Sequence, residues 1–228
     1  MKTLGVIGGM GPMATLDLFS KIIRLADGRR DQDFPHIIID NNSKIPDRTA
    51  FILGEGEDPT PALVESAVKL VQFGAKVLAM PCNTAHFFHG AMSEHLKAKF
   101  GEETVTFLNM IEETVKVVCE SGQTKVLLLG TDGTLQSGLY QTAFSKRGIH
   151  TSVLNDRDQR IVMKMIYDYK AGERNFDEQF LKQMLTMDDR VCVLGCTELP
   201  LVFEIAGLID RVINPTEILA KKALEAIK

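Results

Sequence analysis

Residues 4–11, LGVIGGMG, combine a short apolar run with a glycine-rich turn. Residues 126–134, VLLLGTDGT, repeat this order in the second half of the chain. A short apolar run that ends in glycine is typical of a buried strand that leads into a tight turn. The two segments therefore predict two similar α/β units, each with a strand followed by a glycine turn.

Short apolar runs alternate with longer segments of helical period along the whole chain. This alternation predicts an α/β fold in which mostly parallel sheets are flanked by helices. The predicted strands are residues 4–7, 36–40, 76–80, 104–108, 125–129, 149–154, 190–194 and 210–213. The predicted helices lie near residues 13–26, 59–73, 86–99, 110–120, 138–147, 157–171, 176–187, 198–206 and 215–227.

A cysteine turn follows a predicted strand in each half of the chain. The first turn is residues 80–84, MPCNT, and the second is residues 194–198, LGCTE. Cys82 and Cys196 lie 114 residues apart, which is half of the 228-residue chain. Two glycine turns and two cysteine turns in the same order indicate two copies of one unit.

A third pair of segments supports the duplication. Residues 108–112, LNMIE, resemble residues 213–217, INPTE, 105 positions further on. We therefore expect two pseudo-symmetric doubly wound lobes. The first lobe would comprise residues 1–103 with 210–228, and the second would comprise residues 104–209.

The cysteine turns are candidate functional sites because ligands of open parallel sheets bind beyond the carboxyl ends of the strands. Two facing lobes would place Cys82 and Cys196 on opposite walls of one cleft. A thiol at the start of a helix feels the positive end of the helix dipole, which lowers its pKa. Asn83, Thr84 and Thr197 could hold a carboxylate beside the thiols. The alternative is that both cysteines are small buried core residues.

Composition and charge exclude several classes of protein. The chain is 45% hydrophobic, which suffices for a sizeable core, and its net charge of −4 comes with no basic block. Nucleic acid and anionic membranes are therefore not expected as partners. Glycine interrupts the first apolar run too early for a signal peptide, and no run approaches the ~20 apolar residues of a membrane span. We expect a cytoplasmic protein with reduced thiols, in which Cys119 and Cys192 belong to the core.

A metal site is not expected. His86, His89 and His95 lie close together in the sequence, but no cysteine or carboxylate completes a ligand set at a matching spacing. His86 lies one turn after Cys82 and could tune that thiol.

A dinucleotide-binding enzyme is an alternative reading of the first glycine turn. Residues 9–14, GMGPMA, match the G-x-G-x-x-G/A fingerprint after a strand, and Asp40 ends the next predicted strand. Asp40 lies 26 residues beyond the fingerprint, whereas about 20 is usual. The fingerprint also leaves the paired cysteines unexplained.

Two basic residues remain ambiguous from the pattern alone. Arg48 follows a proline turn, so it either faces the same cleft or pairs with Asp47. Lys164 falls off the apolar stripe of its predicted helix, so helical periodicity predicts a solvated lysine.

Four motifs of the chain resemble those of the aspartate/glutamate racemase family, and most closely its cofactor-independent aspartate racemases. They are residues 5–12 (GVIGGMGP), 45–49 (IPDRT), 80–86 (MPCNTAH) and 195–200 (GCTELP). The resemblance extends from the first strand to residues 214–216.

The resemblance implies a homodimer of two-lobed chains with the active site between the lobes, and it implies no pyridoxal phosphate or other cofactor. Cys82 and Cys196 match the two catalytic cysteines of the family. The positions that match substrate-binding residues are Met10, Arg48, Asn83, Thr84, Thr131, Lys164 and Thr197. For Lys164 the resemblance opposes the helical period. Thr134 belongs to the second-lobe glycine turn, which also faces substrate.

The implied activity is racemisation of an acidic amino acid, with aspartate as the first candidate. Arg48 and Lys164 match the cations that bind the side-chain carboxylate, which favours a dicarboxylic substrate. A glutamate racemase or a broad-specificity amino-acid racemase is the nearest alternative. More distant alternatives are a nucleotide-dependent oxidoreductase, and a non-catalytic amino-acid-binding protein whose thiols serve redox signalling.

Overall fold

Two parallel β-sheets form the framework of the protein. The computed structural model describes residues 1–186 and 190–228. The first sheet has the order β2-β1-β3-β4 and the second has the order β6-β5-β7. The strands are β1 (Leu4–Gly8), β2 (Ile37–Asn41), β3 (Val77–Ala79), β4 (Thr106–Phe107), β5 (Lys125–Gly130), β6 (His150–Ser152) and β7 (Val191–Gly195). All of the pairings between these strands are parallel.

Helices cover both faces of each sheet. They are α1 (Pro12–Leu25), α2 (Arg48–Ile52), α3 (Thr60–Gln72), α4 (His89–Phe100), α5 (Met110–Glu120), α6 (Asp132–Gln136), α7 (Leu139–Ser145), α8 (Asp156–Lys170), α9 (Glu178–Thr186), α10 (Leu199–Ile205) and α11 (Pro215–Ile227). Three short 3₁₀ helices span Asp31–Asp33, Thr84–Phe88 and Ile209–Arg211. None of the helices within the described residues is both long enough and apolar enough to cross a membrane.

The apolar strands are explained by burial on both faces. In β1, Leu4 and Val6 pack with α1 and α11, whereas Ile7 packs with α3 and α4. β5 alternates in the same way between α5 and α7 on one face and α8, α9 and α10 on the other. Successive side chains of a strand point to opposite faces, so a strand covered on both sides must be apolar throughout. The predicted α/β fold of two pseudo-symmetric lobes with parallel sheets is confirmed.

The helix caps retain the internal symmetry in detail. Asn109 caps α5, and its side-chain oxygen accepts hydrogen bonds from two backbone N–H groups of that helix. Asn214 caps α11 in the same way. The backbone angles (φ, ψ) are −101° and 101° at Asn109, and −105° and 101° at Asn214. The third pair of similar segments therefore has one local structure in both halves.

The predicted strand at 210–213 is wrong over most of its length. Residues 209–211 form a 3₁₀ turn, and Ile213 makes one isolated parallel bridge with Val193. The extended segment is this short because the 3₁₀ turn occupies its first residues, and after Ile213 the chain begins α11 with Asn214 as the cap and Pro215 as the first residue. A proline at the first helical position favours such a start.

Other elements differ from the prediction mainly at their ends. The strand predicted at 104–108 shortens to β4, which pairs with β3 and so lies in the first sheet. The division into lobes at residue 104 stays a prediction. Two short helices, α2 and α6, were not predicted, and α4 begins with a 3₁₀ turn. The helix predicted at 176–187 appears as α9, while residue 187 lies outside the described part of the chain.

Candidate active site

A cavity lies where the carboxyl ends of strands from both sheets meet. Its walls are formed by the turns that follow β1, β3, β5 and β7, by α2 and by the end of α8. It is lined by Met10, Asp47, Arg48, Thr49, Cys82, Asn83, Thr84, Thr131, Tyr167, Lys170, Cys196, Thr197 and Glu198. Both predicted cysteines and six of the seven predicted substrate-binding residues are thus brought together, and only Lys164 is not.

Cys82 is buried in the turn that follows β3, and His86 holds the backbone of that turn. His86 Nδ1 lies 2.8 Å from the carbonyl oxygen of Cys82, and Met110 N–H donates to His86 Nε2 at 3.0 Å. These two partners assign the proton of a neutral imidazole to Nδ1. Burial, assisted by neighbouring His89, lowers the pKa of His86 to about 3. His86 therefore positions the Cys82 turn as a neutral side chain, through a hydrogen bond to the backbone carbonyl of Cys82.

Cys196 is buried in the turn that follows β7, beside a carboxylate. Its Sγ lies 3.1 Å from Glu198 Oε2, and Glu198 Oε1 lies 3.7 Å from Lys170 Nζ. Burial, together with the negative charge of Glu198, raises the pKa of the Cys196 thiol well above its usual value. The position at a helix start predicts a lowered pKa for this thiol. That expectation is wrong for Cys196 because burial and the adjacent carboxylate outweigh the helix dipole.

A cluster of threonine hydroxyls joins the two lobes at the wall of the cavity. Thr84 from the first lobe lies 3.0 Å from Thr131 and 2.8 Å from Thr134 of the second, measured between hydroxyl oxygens. Thr49 of α2 donates to Thr131 at 3.4 Å. α6 approaches α2 so closely that a Cβ on Gly133 would lie 2.8 Å from Thr49 Cα. Glycine is therefore required at this contact.

Arg48 faces the cavity and is not paired with Asp47. Its Nη1 donates to the carbonyl of Pro46 at 2.9 Å and to that of Ile45 at 3.3 Å, while its buried Nε has no hydrogen-bond partner. Asp47 is occupied as the cap of α2, where it accepts from the Ala50 N–H at 3.0 Å. Of the two sequence interpretations of Arg48, the structure agrees with the one that places it at the cleft.

Asn83 has a similar free donor. Its Oδ1 accepts a hydrogen bond from the Tyr140 hydroxyl at 2.7 Å, which fixes the orientation of the amide, and its buried Nδ2 has no partner. Two unpartnered N–H donors in the walls of one cavity are suited to an anionic ligand, because an unsatisfied buried donor costs about 1–3 kcal/mol.

Lys164 lies outside the cavity, although the family resemblance implies that it binds substrate. Its side chain is 74% exposed and pairs with Asp168 at 2.5 Å on the outer face of α8. The inner face of α8 carries Val162, Met165, Ile166 and Tyr169. Lys170 at the end of the same helix lines the cavity instead. The helical period predicts a solvated Lys164, and the structure agrees with that prediction.

Sequence analysis did not single out Glu198, Lys170 or Tyr167 as site residues. Glu198 belongs to the GCTELP motif at residues 195–200, but the motif alone assigns it no role. A glutamate two residues after a cysteine in a buried turn is an unusual buried charge. Burial alone would lower the pKa of Lys170, but the negative charges of Glu198 and the two cysteines outweigh it and raise the pKa. Lys170 and Tyr167 lie near the end of α8, where periodicity cannot tell which exposed positions face a neighbouring lobe.

The dinucleotide-binding interpretation is not supported by the surroundings of Asp40. Its Oδ2 accepts a hydrogen bond from Ser66 of α3 at 2.5 Å, so the carboxylate is engaged with a helix and not presented to a ribose.

Solved structures of racemases share this fold. The aspartate racemase of Picrophilus torridus matches with a TM-score of 0.83 and 30% sequence identity, over 100% of this chain and 94% of that chain. A glutamate racemase of Francisella tularensis subsp. tularensis SCHU S4, in complex with D-glutamate, matches with a TM-score of 0.68 and 16% identity, over 99% and 80% of the two chains. The broad specificity amino-acid racemase RacX of Bacillus subtilis (strain 168) is 27% identical over 231 residues, covering 97% of this chain and 96% of RacX.

The protein has a two-lobed α/β fold, and each lobe contributes one cysteine to a shared cavity. It is also similar to racemases over nearly the whole chain. The protein is thus of the amino-acid racemase class. Residues 7–223 match the sequence profile of the Asp/Glu/hydantoin racemase family, and the chain belongs to that family.

Proposed function

We propose that the protein interconverts the enantiomers of an acidic amino acid, with aspartate as the principal substrate, by proton transfer between Cys82 and Cys196. The observation that carries this proposal is the placement of both cysteines, one from each lobe, in one cavity with the cations Arg48 and Lys170. Inversion at Cα requires a base on one face and an acid on the other, and two thiols from opposite lobes can supply them.

The proposed reaction is balanced by two proton transfers. One cysteine thiolate takes the α-proton, so that the Cα–H bond breaks and an S–H bond forms. The electron pair left on Cα is delocalised onto the α-carboxylate. The other cysteine then gives its thiol proton to the opposite face of Cα and becomes a thiolate. The reverse direction exchanges the roles of the cysteines, and the scheme uses no cofactor.

The α-carboxylate would bind among the polar groups of the cysteine turns. Asn83 Nδ2 is an unpartnered donor, and the hydroxyls of Thr84 and Thr197 lie in the same walls. Hydrogen-bond donors fixed in advance stabilise the charge that develops in the transition state and need no rearrangement at that moment.

The side-chain carboxylate would bind to Arg48 and Lys170. Arg48 Nε is a buried donor without a partner, and Lys170 presents a second positive charge to the cavity. The aspartate racemase of Picrophilus torridus, at 30% identity, supports aspartate as the first substrate to test. The second candidate is broad specificity, which the similarity to RacX favours. Glutamate racemisation is the nearest variant of the first proposal.

The test is proton NMR of the purified protein with L-aspartate in D₂O, followed by chiral separation of the same sample. We expect loss of the α-proton signal together with appearance of D-aspartate. Parallel samples contain L-glutamate, L-alanine and L-lysine, which differ in side-chain charge. Equal rates on all four would favour broad specificity. If none of them exchanges while the active-site thiols are titrated as reduced, the proposal is wrong.

We further propose that the protein is a homodimer that functions in a reducing compartment such as the cytoplasm, since the mechanism needs both thiols reduced. The outer face of α1 supports an interface with a second copy, because it exposes Met13, Leu16 and Phe19 at helical spacing. Light scattering should give twice the chain mass, and Leu16→Asp should halve it. Phe73→Asp, at an exposed apolar residue elsewhere, is the matched control. A monomeric parent protein would contradict this proposal.

A further inference from the structure

The two cavity cysteines have different surroundings. Both are buried to the same extent, with 5% of each residue exposed. Cys196 forms a hydrogen bond with the carboxylate of Glu198, whereas no side-chain hydrogen bond to the Cys82 sulfur occurs within residues 1–186 and 190–228. Glu198 itself is buried, with only 3% of its side chain exposed.

A proton must lie between Cys196 and Glu198. A thiolate and a carboxylate are both acceptors, so their contact at 3.1 Å requires that one of them carries hydrogen. Lys170 Nζ lies 3.7 Å from the other oxygen of Glu198, which favours the charged carboxylate. The proton therefore belongs to the sulfur of Cys196, which donates it to Glu198.

Some charged groups around Cys196 raise the pKa of its thiol and others lower it. Lys170 lies at the end of α8, and its positive charge favours the thiolate. Arg48 of α2, Asp47 and Tyr167 also line the cavity, and Cys82 faces it from the first lobe. Burial and Glu198 outweigh the effect of Lys170 on the Cys196 pKa, which is raised in total.

We propose that Glu198 is a positioning residue that keeps Cys196 protonated in the free enzyme, so that Cys196 is the resting acid and Cys82 takes the first proton. The roles of acid and base rest on the proposed racemisation. The protonation of Cys196 is inferred from its contact with Glu198 and does not depend on that activity. For the enantiomer whose α-proton faces Cys82, the acid on the opposite face of Cα is already protonated. The other enantiomer requires the proton to move from Cys196 to Cys82 first.

The test measures the protonation of each cysteine without substrate. Alkylation by iodoacetamide proceeds through the thiolate, so its rate against pH reports the protonation of each thiol. Tryptic peptides separate Cys82 from Cys196. Cys192 lies on the same tryptic peptide as Cys196, residues 191–211, so fragment ions from tandem mass spectrometry distinguish these two, and burial raises the pKa of Cys192 to about 12. In the unmodified protein we expect Cys82 to be alkylated at lower pH than Cys196.

Glu198→Gln is the decisive variant because it removes the charge and keeps the shape of the side chain. We expect the midpoint of Cys196 alkylation to fall by about one pH unit or more, since loss of one buried negative neighbour shifts a pKa by this order. The midpoint for Cys82 should change much less. Glu204→Gln, six residues further on in α10 and in contact with Lys21, is the matched control and should leave both midpoints unchanged.

Lys170→Met is a second variant, and we expect it to shift the midpoint of Cys196 alkylation in the opposite direction. Loss of this cation should move the midpoint of Cys196 alkylation to higher pH. Equal midpoints for the two cysteines in the unmodified protein would overturn the proposal. An unchanged or raised Cys196 midpoint in Glu198→Gln would also overturn it, and so would a lowered one in Lys170→Met.

The same samples distinguish this inference from the proposed function. If the midpoints behave as expected but no amino acid is racemised, the protonation assignment holds and the activity is wrong. If aspartate is racemised while the midpoints are equal, the activity holds and the role of Glu198 is wrong.

Discussion

The hydroxyl of Tyr140 in the second lobe donates a hydrogen bond to Asn83 Oδ1 in the first, at 2.7 Å. Tyr140 is fully buried, and burial raises the pKa of its phenol, so the hydroxyl keeps its proton at any pH at which the protein works. This contact links α7 to the first cysteine turn and orients the amide that faces the cavity.

Tyr140→Phe should therefore destabilise the protein and impair the site. The loss leaves Asn83 Oδ1 buried without a donor, which costs about 1–3 kcal/mol of the free energy of unfolding. Urea denaturation measures this change, and kcat/KM for aspartate should fall because the amide is free to rotate. Tyr169→Phe is the control, since the Tyr169 ring stacks beneath Arg174 and does not line the cavity. Equal stability of both variants would contradict the assigned role.

Cys82→Ser and Cys196→Ser should each abolish racemisation, while Cys119→Ser should be nearly silent. A serine hydroxyl is too weak as an acid and as a base at neutral pH to replace a thiol in either transfer. Cys119 is exposed on α5, away from the cavity, so the prediction that it belongs to the core is wrong, whereas Cys192 is buried as predicted. Chiral chromatography of aspartate reactions gives the rates. Turnover within about tenfold of the unmodified rate in either catalytic variant is incompatible with a two-base mechanism of the kind proposed.

Lys170→Met should weaken the use of acidic substrates, whereas Lys164→Met on the same helix should not. A charge-assisted hydrogen bond contributes about 1.5–3 kcal/mol, so kcat/KM for aspartate should fall about ten- to a hundredfold. Lys164 only pairs with Asp168 on the exposed face of α8. Steady-state kinetics on aspartate measure both variants. The opposite ranking of the two lysines would restore the role that family resemblance assigned to Lys164.

The stability of the protein should fall as the pH drops from about 6.5 towards 3. His86 has a pKa lowered to about 3 in the folded protein from a usual 6.5, so the unfolded chain binds more protons between these values. The stabilisation is complete above 6.5 and is lost progressively below it. His86→Gln should make this part of the pH dependence shallower, as urea denaturation at several pH values can show. His36→Gln, at an exposed histidine, should leave the slope unchanged.

The sequence predicted the fold and most of the cavity because both rest on local patterns that repeat. Cys82 and Cys196 follow strands, and strand ends of parallel sheets meet at one edge, so their convergence could be inferred without coordinates. Lys170 could not be inferred in this way. Its approach to Glu198 depends on how the end of α8 is oriented towards the second cysteine turn, and the helical period of α8 contains no information about that orientation.

The protonation of the thiols was also beyond sequence reasoning. The helix-dipole argument applies to any cysteine at a helix start, but it omits burial, and Cys196 is surrounded by core residues as well as by Glu198. The electrostatic outcome depends on a 3.1 Å contact whose geometry only the folded chain defines. The strand predicted at 210–213 failed because residues 209–211 form a 3₁₀ turn, which the apolar pattern does not distinguish from an extended segment.

Gly133 has no side chain, and this allows the two lobes to approach each other closely at α6 and α2. A methyl group at this position would lie 2.8 Å from the backbone of Thr49 and 3.0 Å from the side chain of Thr84, so α6 and α2 would have to move apart. Gly133→Ala would thus act as a wedge that widens the gap which a proton must cross between the two sulfurs and Cα. A displacement of about 1 Å can cost a hundredfold in rate. The absence of a side chain at residue 133 therefore keeps the two sulfurs at the short distance from Cα that proton transfer needs.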